Sequence, residues 1–343
     1  MYSLKNSSIL YEASKSKHKA HFVVQLLIFV AIFIVSSLVT AIIVGMPVGI
    51  SMAKTVLQTT DLNELMSGSV DVAALTQQLM SSLPEWFASL SLFATLITTC
   101  VTFLYCRKIE GRSFASMGLK AEGFLKKYGV GYLIGMVMII SAVGLAVMLG
   151  AAEFTGFNSE VSWLYIALPF VGYLVQGMSE EVLCRGYLAV SLANKTKVSV
   201  AVGVSSVVFA MLHLGNAGIA PLAFINLALF GVFMGVYMFR TDDLWGACAI
   251  HSSWNFIQGN VLGVSVSGGM VSETVFGTAF VEGRELISGG SFGIEGGICT
   301  TIVLLAAVAL TLYLPMKPRP ELPEEPETDE SIAKEPIPLY IKK

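Results

Sequence analysis

The sequence predicts an all-α, polytopic membrane protein of about eight transmembrane helices, with its functional core on the fourth to the seventh. Three observations predict it. The 343 residues are 55% hydrophobic and only 13% charged, against about 25% charged in soluble domains. Mean hydropathy is +0.73. Apolar runs recur along the chain at the length of about 20 residues that a helix needs to cross a hydrocarbon core about 30 Å thick.

Taken in order, the expected spans are 22–44, 86–106, 129–149, 163–193, 198–214, 221–239, 244–262 and 298–314. The first follows Lys5, Lys15, Lys17 and Lys19 and is far longer than the apolar region of a cleaved signal peptide, so it reads as a retained span. The loop at 51–85 has an amphipathic, partly helical pattern. The basic loop at 107–127 reads as an ordinary positive-inside anchor. The fourth run would extend about 46 Å as a straight helix, so it must tilt or break, at Pro169 or near Gly177. The glycine-rich stretch at 263–297 reads as a re-entrant, lid-like or flexible segment. The tail from Pro315 is rich in proline and acid and reads as disordered. These divisions give an N-terminal membrane region at 1–127, a core at 128–262, the glycine-rich segment with the last span at 263–314, and the tail at 315–343.

Basic residues orient the chain. With the N-terminus inside, only Lys54 and Arg284 fall outside and Arg185 falls within the membrane. Both termini are then cytoplasmic. The five cysteines, Cys100, Cys106, Cys184, Cys248 and Cys299, form no CxxC pair and read as reduced, buried side chains.

Charge inside the apolar runs is the exception that needs a reason. Gly177-Met178-Ser179-Glu180-Glu181-Val182-Leu183-Cys184-Arg185-Gly186 puts two carboxylates and a guanidinium in the fourth span, where ionisable groups are expensive and usually functional. Glu181 and Arg185, four apart, share a helical face and can pair, which turns Glu180 toward another face. Burial suits Glu180 to the role of general base. The fifth span ends Phe209-Ala210-Met211-Leu212-His213, and the seventh carries His251-Ser252-Ser253-Trp254-Asn255. Measured from the inside surface, Glu180 and His213 stand about 23 and 24 Å deep and His251 and Asn255 about 12 and 18 Å. The four can converge. A single membrane histidine is commonly a helix–helix hydrogen bond, and a Glu–Arg pair is commonly structural. Six such groups in one core argue for chemistry.

Glu-Glu-x-x-x-Arg, Phe-x-x-x-His and His-x-x-x-Asn, in that order on successive spans, resemble the CAAX-protease and bacteriocin-processing (CPBP, or Abi) family of intramembrane endopeptidases. The resemblance covers about residues 163–259. It implies that Glu180 and His213 activate a water, that His251 and Asn255 stabilise the oxyanion, and that Glu181 and Arg185 hold the helix and tune Glu180. Glu180, His213 and His251 are candidate ligands should the site take Zn²⁺, though no His-Glu-x-x-His motif occurs. Eukaryotic relatives cleave prenylated C-termini; bacterial ones are linked to peptide maturation, bacteriocin self-immunity or scaffolding. The short inside loops and compact size point to a bacterial cell membrane. The expected partners are the lipid bilayer and a membrane-embedded or membrane-associated peptide or protein substrate, with no nucleic acid. Two other classes compete: a proton-coupled transporter with an intramembrane relay, and a non-catalytic immunity or scaffold protein. The sequence leaves the oligomeric state unknown.

Overall fold

A computed structural model of the chain describes residues 7–17, 20–59, 86–269, 271 and 273–315. Most of the expected amphipathic loop at 51–85, and the acidic tail from 316, lie outside the described residues. Helix occupies part or all of each of the eight apolar ranges. We label the helices α1 (Ser8–Ser14), α2 (Phe22–Thr40), α3 (Leu96–Leu104), α4 (Phe124–Met148), α5 (Trp163–Glu181), α6 (Val198–Met211), α7 (Pro221–Thr241), α8 (Trp245–Phe256) and α9 (Ile298–Tyr313). Four stretches, Phe22–Lys54, Ser89–Ile109, Phe124–Met148 and Pro221–Thr241, are long and apolar enough to cross a membrane. Their outward faces carry large apolar side chains such as Leu27, Leu38, Leu104, Leu133 and Val137. A face of this kind is unfavourable in water and suits lipid.

Among the described residues, the fold departs from an all-helical plan in a small sheet. Ala152–Phe157 and Phe276–Phe280 form a two-stranded antiparallel sheet, β1 and β2, with Ala152 opposite Phe280 and Phe157 opposite Phe276. Both strands lie between apolar helices and carry the β-favouring Phe and Thr. Rings of Phe154 and Phe157 meet Phe276 with centroids 5.3 and 5.7 Å apart. The glycine-rich stretch is therefore built structure: β2, the short helix Glu285–Ser288 and two 3₁₀ turns, with Phe292 and Ile294 fully buried.

The long fourth run leaves α-helical geometry after Glu181, beyond both places where the irregularity was expected. Pro169 sits inside α5, which runs on unbroken to Glu181. A π-helical stretch, Val182–Ala189, follows, and Val190–Ala193 completes the run. Widened turns free backbone carbonyls, and such turns gather at functional sites. Here Arg112 supplies the missing donor, giving Nη2 to the carbonyls of Gly186 at 2.9 Å and Ser116 at 2.8 Å. Arg112 is 3% exposed; it is a buried brace, so the 107–127 loop is more than a surface anchor. A second brace closes the same end of the bundle. Asp242, just past α7, accepts from the hydroxyls of Ser7 and Ser8 and from the Ile9 amide, and pairs with Lys120 at 2.7 Å. Burial would raise the Asp242 carboxyl, but these donors outweigh it and hold the group at about 2.

Helix α8 is the centre of the bundle. It packs most extensively on α4 and α5, and glycine lets both come close. A Cβ on Gly135 of α4 would stand 2.4 Å from the Ile250 carbonyl, and one on Gly177 of α5 would stand 2.8 Å from the Ser252 amide. Small residues at such crossings are how membrane helices approach each other.

Candidate active site

A cavity of about 570 Å³ opens among these helices. Glu180, His213, His251 and Asn255 all line it. Glu181 and Arg185 stand behind its wall, each fully buried.

Each group is held in a definite way. Arg185 Nη1 donates to Glu181 Oε1 at 2.9 Å across one helical turn. The same carboxylate oxygen lies 2.9 Å from His251 Nδ1. A carboxylate can only accept, so Nδ1 carries the proton of that bond, and Nε2 turns toward Glu180, 3.8 Å from its Oε2. Glu180 Oε1 accepts from the Gln176 amide. Glu180 Oε2 is shut off from solvent and has no hydrogen-bond partner among the described residues. Asn255 donates to Gln176 Oε1 at 2.9 Å. His213 follows the end of α6, and its Nδ1 lies 2.9 Å from the Phe209 carbonyl. That carbonyl also accepts only, so Nδ1 donates and Nε2 is left as the other ring nitrogen.

Aromatic rings fill the space between the charges. The Arg185 guanidinium lies 4.4 Å over the Phe209 ring, a favourable arrangement for a desolvated cation. Phe230 meets His251 and Trp254 with centroids 5.2 and 5.5 Å away. Phe209 is 1% exposed and forms part of the cavity wall.

The structure also brings to the cavity polar residues that the sequence reading passed over, Gln176 and Glu295 among them. Gln176 links Glu180 to Asn255; its signal was there, four residues before Glu180 on the same face of α5. Glu295 also lines the cavity, but no motif marks it and it arrives from the glycine-rich stretch. The cysteines divide. Cys106, Cys184, Cys248 and Cys299 are buried, whereas Cys100 is exposed on α3, contrary to expectation; all are free thiols.

A zinc ion would need the candidate ligands Glu180, His213 and His251 to converge. Among the described residues no group of three His, Cys, Asp or Glu side chains does so, and both Nδ1 atoms are already engaged with protein oxygens.

Apolar helices around a buried polar cavity define a helical integral membrane protein. Residues 162–257 match the family model described as Type II CAAX prenyl endopeptidase Rce1-like, within the CPBP family. The match begins one residue before α5 and ends just past α8, so it encloses all four helices of the site. Among curated proteins, none matches the chain.

Proposed function

We propose that the chain is a CAAX-protease-like intramembrane endopeptidase in which Glu180, with His213, activates a water for attack on a peptide carbonyl. The observation that carries this reading is Glu180 Oε2, an unpartnered carboxylate oxygen inside a cavity shared with His213, His251 and Asn255. A buried polar atom without a partner is costly, and a water between Oε2 and the opposite wall relieves that cost. Gln176 fixes Oε1, which makes Oε2 the basic atom.

The steps balance with these residues alone. As the water oxygen adds to the carbonyl carbon, Glu180 takes one of its protons and the carbonyl oxygen becomes an oxyanion. The second amide N–H of Asn255, and His251 as an imidazolium that carries a proton on Nε2 while Nδ1–H still donates to Glu181, donate to that oxyanion. When the C–N bond breaks, the proton held between Glu180 and His213 passes to the leaving nitrogen, giving an amine and a carboxylic acid. Glu181 and Arg185 do not touch substrate: Glu181 orients His251, and Arg185 balances its charge. The substrate is a peptide or protein embedded in or lying against the bilayer, since Phe33 of α2 and Thr98 of α3 form part of the same wall.

Purified protein in proteoliposomes, offered membrane peptides with and without a prenylated C-terminus, provides the test. Wild type cleaves; Glu180→Gln and His213→Ala lose about 10²–10⁴-fold in rate with unchanged melting. Full cleavage by folded Glu180→Gln protein rules the reading out.

A further inference from the structure

Glu295 is a buried carboxylate that the steps above do not use. It is 7% exposed and lines the same cavity as His213. Three donors hold it. Its Oε2 accepts from the Ser267 amide, from the Ser267 hydroxyl at 3.0 Å and from Gln258 Nε2 at 3.2 Å. Gln258 belongs to the π turn Ile257–Val261 that continues α8, the helix of His251 and Asn255. Ser267 belongs to the glycine-rich stretch. Its carbonyl in turn accepts from Asn216 Nδ2 at 2.8 Å, and the Asn216 amide donates to the His213 carbonyl at 3.0 Å. One carboxylate is therefore tied, through two short links, to both histidine-bearing segments.

The links are tight. Ser267 is a non-glycine residue at φ 48°, a conformation that persists only where its surroundings enforce it. Next to it, a Cβ on Gly268 would stand 2.0 Å from the Ala217 carbonyl, so the glycine-rich stretch presses directly on the loop after His213. Burial raises the Glu295 carboxyl, while the Ser267 and Gln258 donors and the nearby His213 pull it down. Burial prevails, yet His213 is close enough to act on its charge.

We infer that Glu295 is a positioning residue: it latches the glycine-rich segment over the cavity and fixes the loop that presents His213 to the water. This rests on the endopeptidase reading for its consequence in catalysis, but the latch itself does not. Its role is to set where the His213 imidazole stands, and it makes no contact with the reacting atoms.

Two measurements on the full chain in detergent decide it. Hydrogen–deuterium exchange is compared for wild type, Glu295→Gln and Glu295→Ala. The latch requires exchange at 213–218 and 264–269 to rise about tenfold or more in Glu295→Ala, less in Glu295→Gln, with α4 and α5 unchanged. Unchanged exchange in both variants overturns the inference whether or not the protein is a protease. The second measurement is peptide cleavage. Positioning lowers kcat about tenfold with KM unchanged, and Glu295→Gln, which keeps the shape and one acceptor, recovers part of it. Faster exchange with unaltered kcat makes Glu295 a structural strut and overturns the positioning role. If wild type and Glu180→Gln are equally inert toward peptides, the endopeptidase reading fails, and exchange alone decides the latch.

Discussion

At the scale of single residues, the charges of the site are useful only because they are balanced. Glu181 is fully buried and serves Arg185 and His251 through one oxygen. Removing its charge leaves a guanidinium with no exposure and no counter-ion, and an uncompensated buried charge costs about 3–5 kcal/mol. Glu181→Gln is therefore expected to lower the melting temperature sharply in detergent. The double variant Glu181→Gln with Arg185→Met should recover much of the loss, since no charge is then stranded. Neither is expected to cleave peptides, because His251 Nδ1 has lost the acceptor that orients the ring. A double variant no more stable than the single one would mean that the pair is not the source of the cost. These residues were legible in the sequence because one helical turn sets the spacing in Glu181…Arg185, Phe209…His213 and His251…Asn255, and charge inside apolar runs draws attention. Glu295 was not. It lies among glycines, and its partners, Gln258 and Ser267, are brought to it only by folding.

At the scale of elements, the position of α8 decides whether the cavity exists. Glycines flank it on two sides, and the contacts a Cβ there would make include backbone, which does not swing aside as a flexible side chain does. A Cβ on Gly135 would meet Ser253 Oγ at 2.2 Å as well as the Ile250 carbonyl, one residue from His251. Gly135→Leu is expected to destabilise the protein by about 1–3 kcal/mol and to abolish cleavage by pushing α8 outward. Gly144→Leu on the same helix, where a Cβ meets nothing within 4 Å, should leave both melting and cleavage near wild type. Equal behaviour of the two would show that the α4–α8 crossing does not set the site. The apolar runs announced the helices themselves, since lipid-facing helices are apolar over most of their length. The π-helical stretch after Glu181 was not announced: the sequence reading needed an irregularity but placed it at Pro169 or near Gly177. What decides the place is the distant Arg112, whose guanidinium takes up the Gly186 carbonyl. The two strands were missed for a related reason, because each reads as loop until its partner is beside it.

At the scale of the whole molecule, the short helices explain why a cap is present. Helix α6 has 14 residues and α9 has 16, which span about 21 and 24 Å, less than the hydrocarbon thickness of about 30 Å. Irregular backbone is tolerated at membrane depth only where protein covers it or where it lines a cavity. The His213 loop that follows α6 meets both conditions: it borders the cavity and is covered by the stretch around Ser267 and Phe292. We propose eight crossings, with both ends inside and this cap outside, an arrangement that satisfies the basic-residue bias as well. That topology predicts the outcome of single-cysteine labelling in a Cys100→Ala background with a membrane-impermeant reagent. Lys126→Cys, ahead of the matched core, and Lys195→Cys, within it between α5 and α6, should react only when the inner face is exposed. Gly283→Cys, in a turn with open space around it, should react in intact cells. Reaction of Lys126→Cys and Gly283→Cys from the same side would require an even number of crossings between them in place of the odd number that the proposed eight crossings call for. It would also put the glycine-rich cap and the basic loop on one face, where the latch from Glu295 to His213 could not close the far mouth of the cavity.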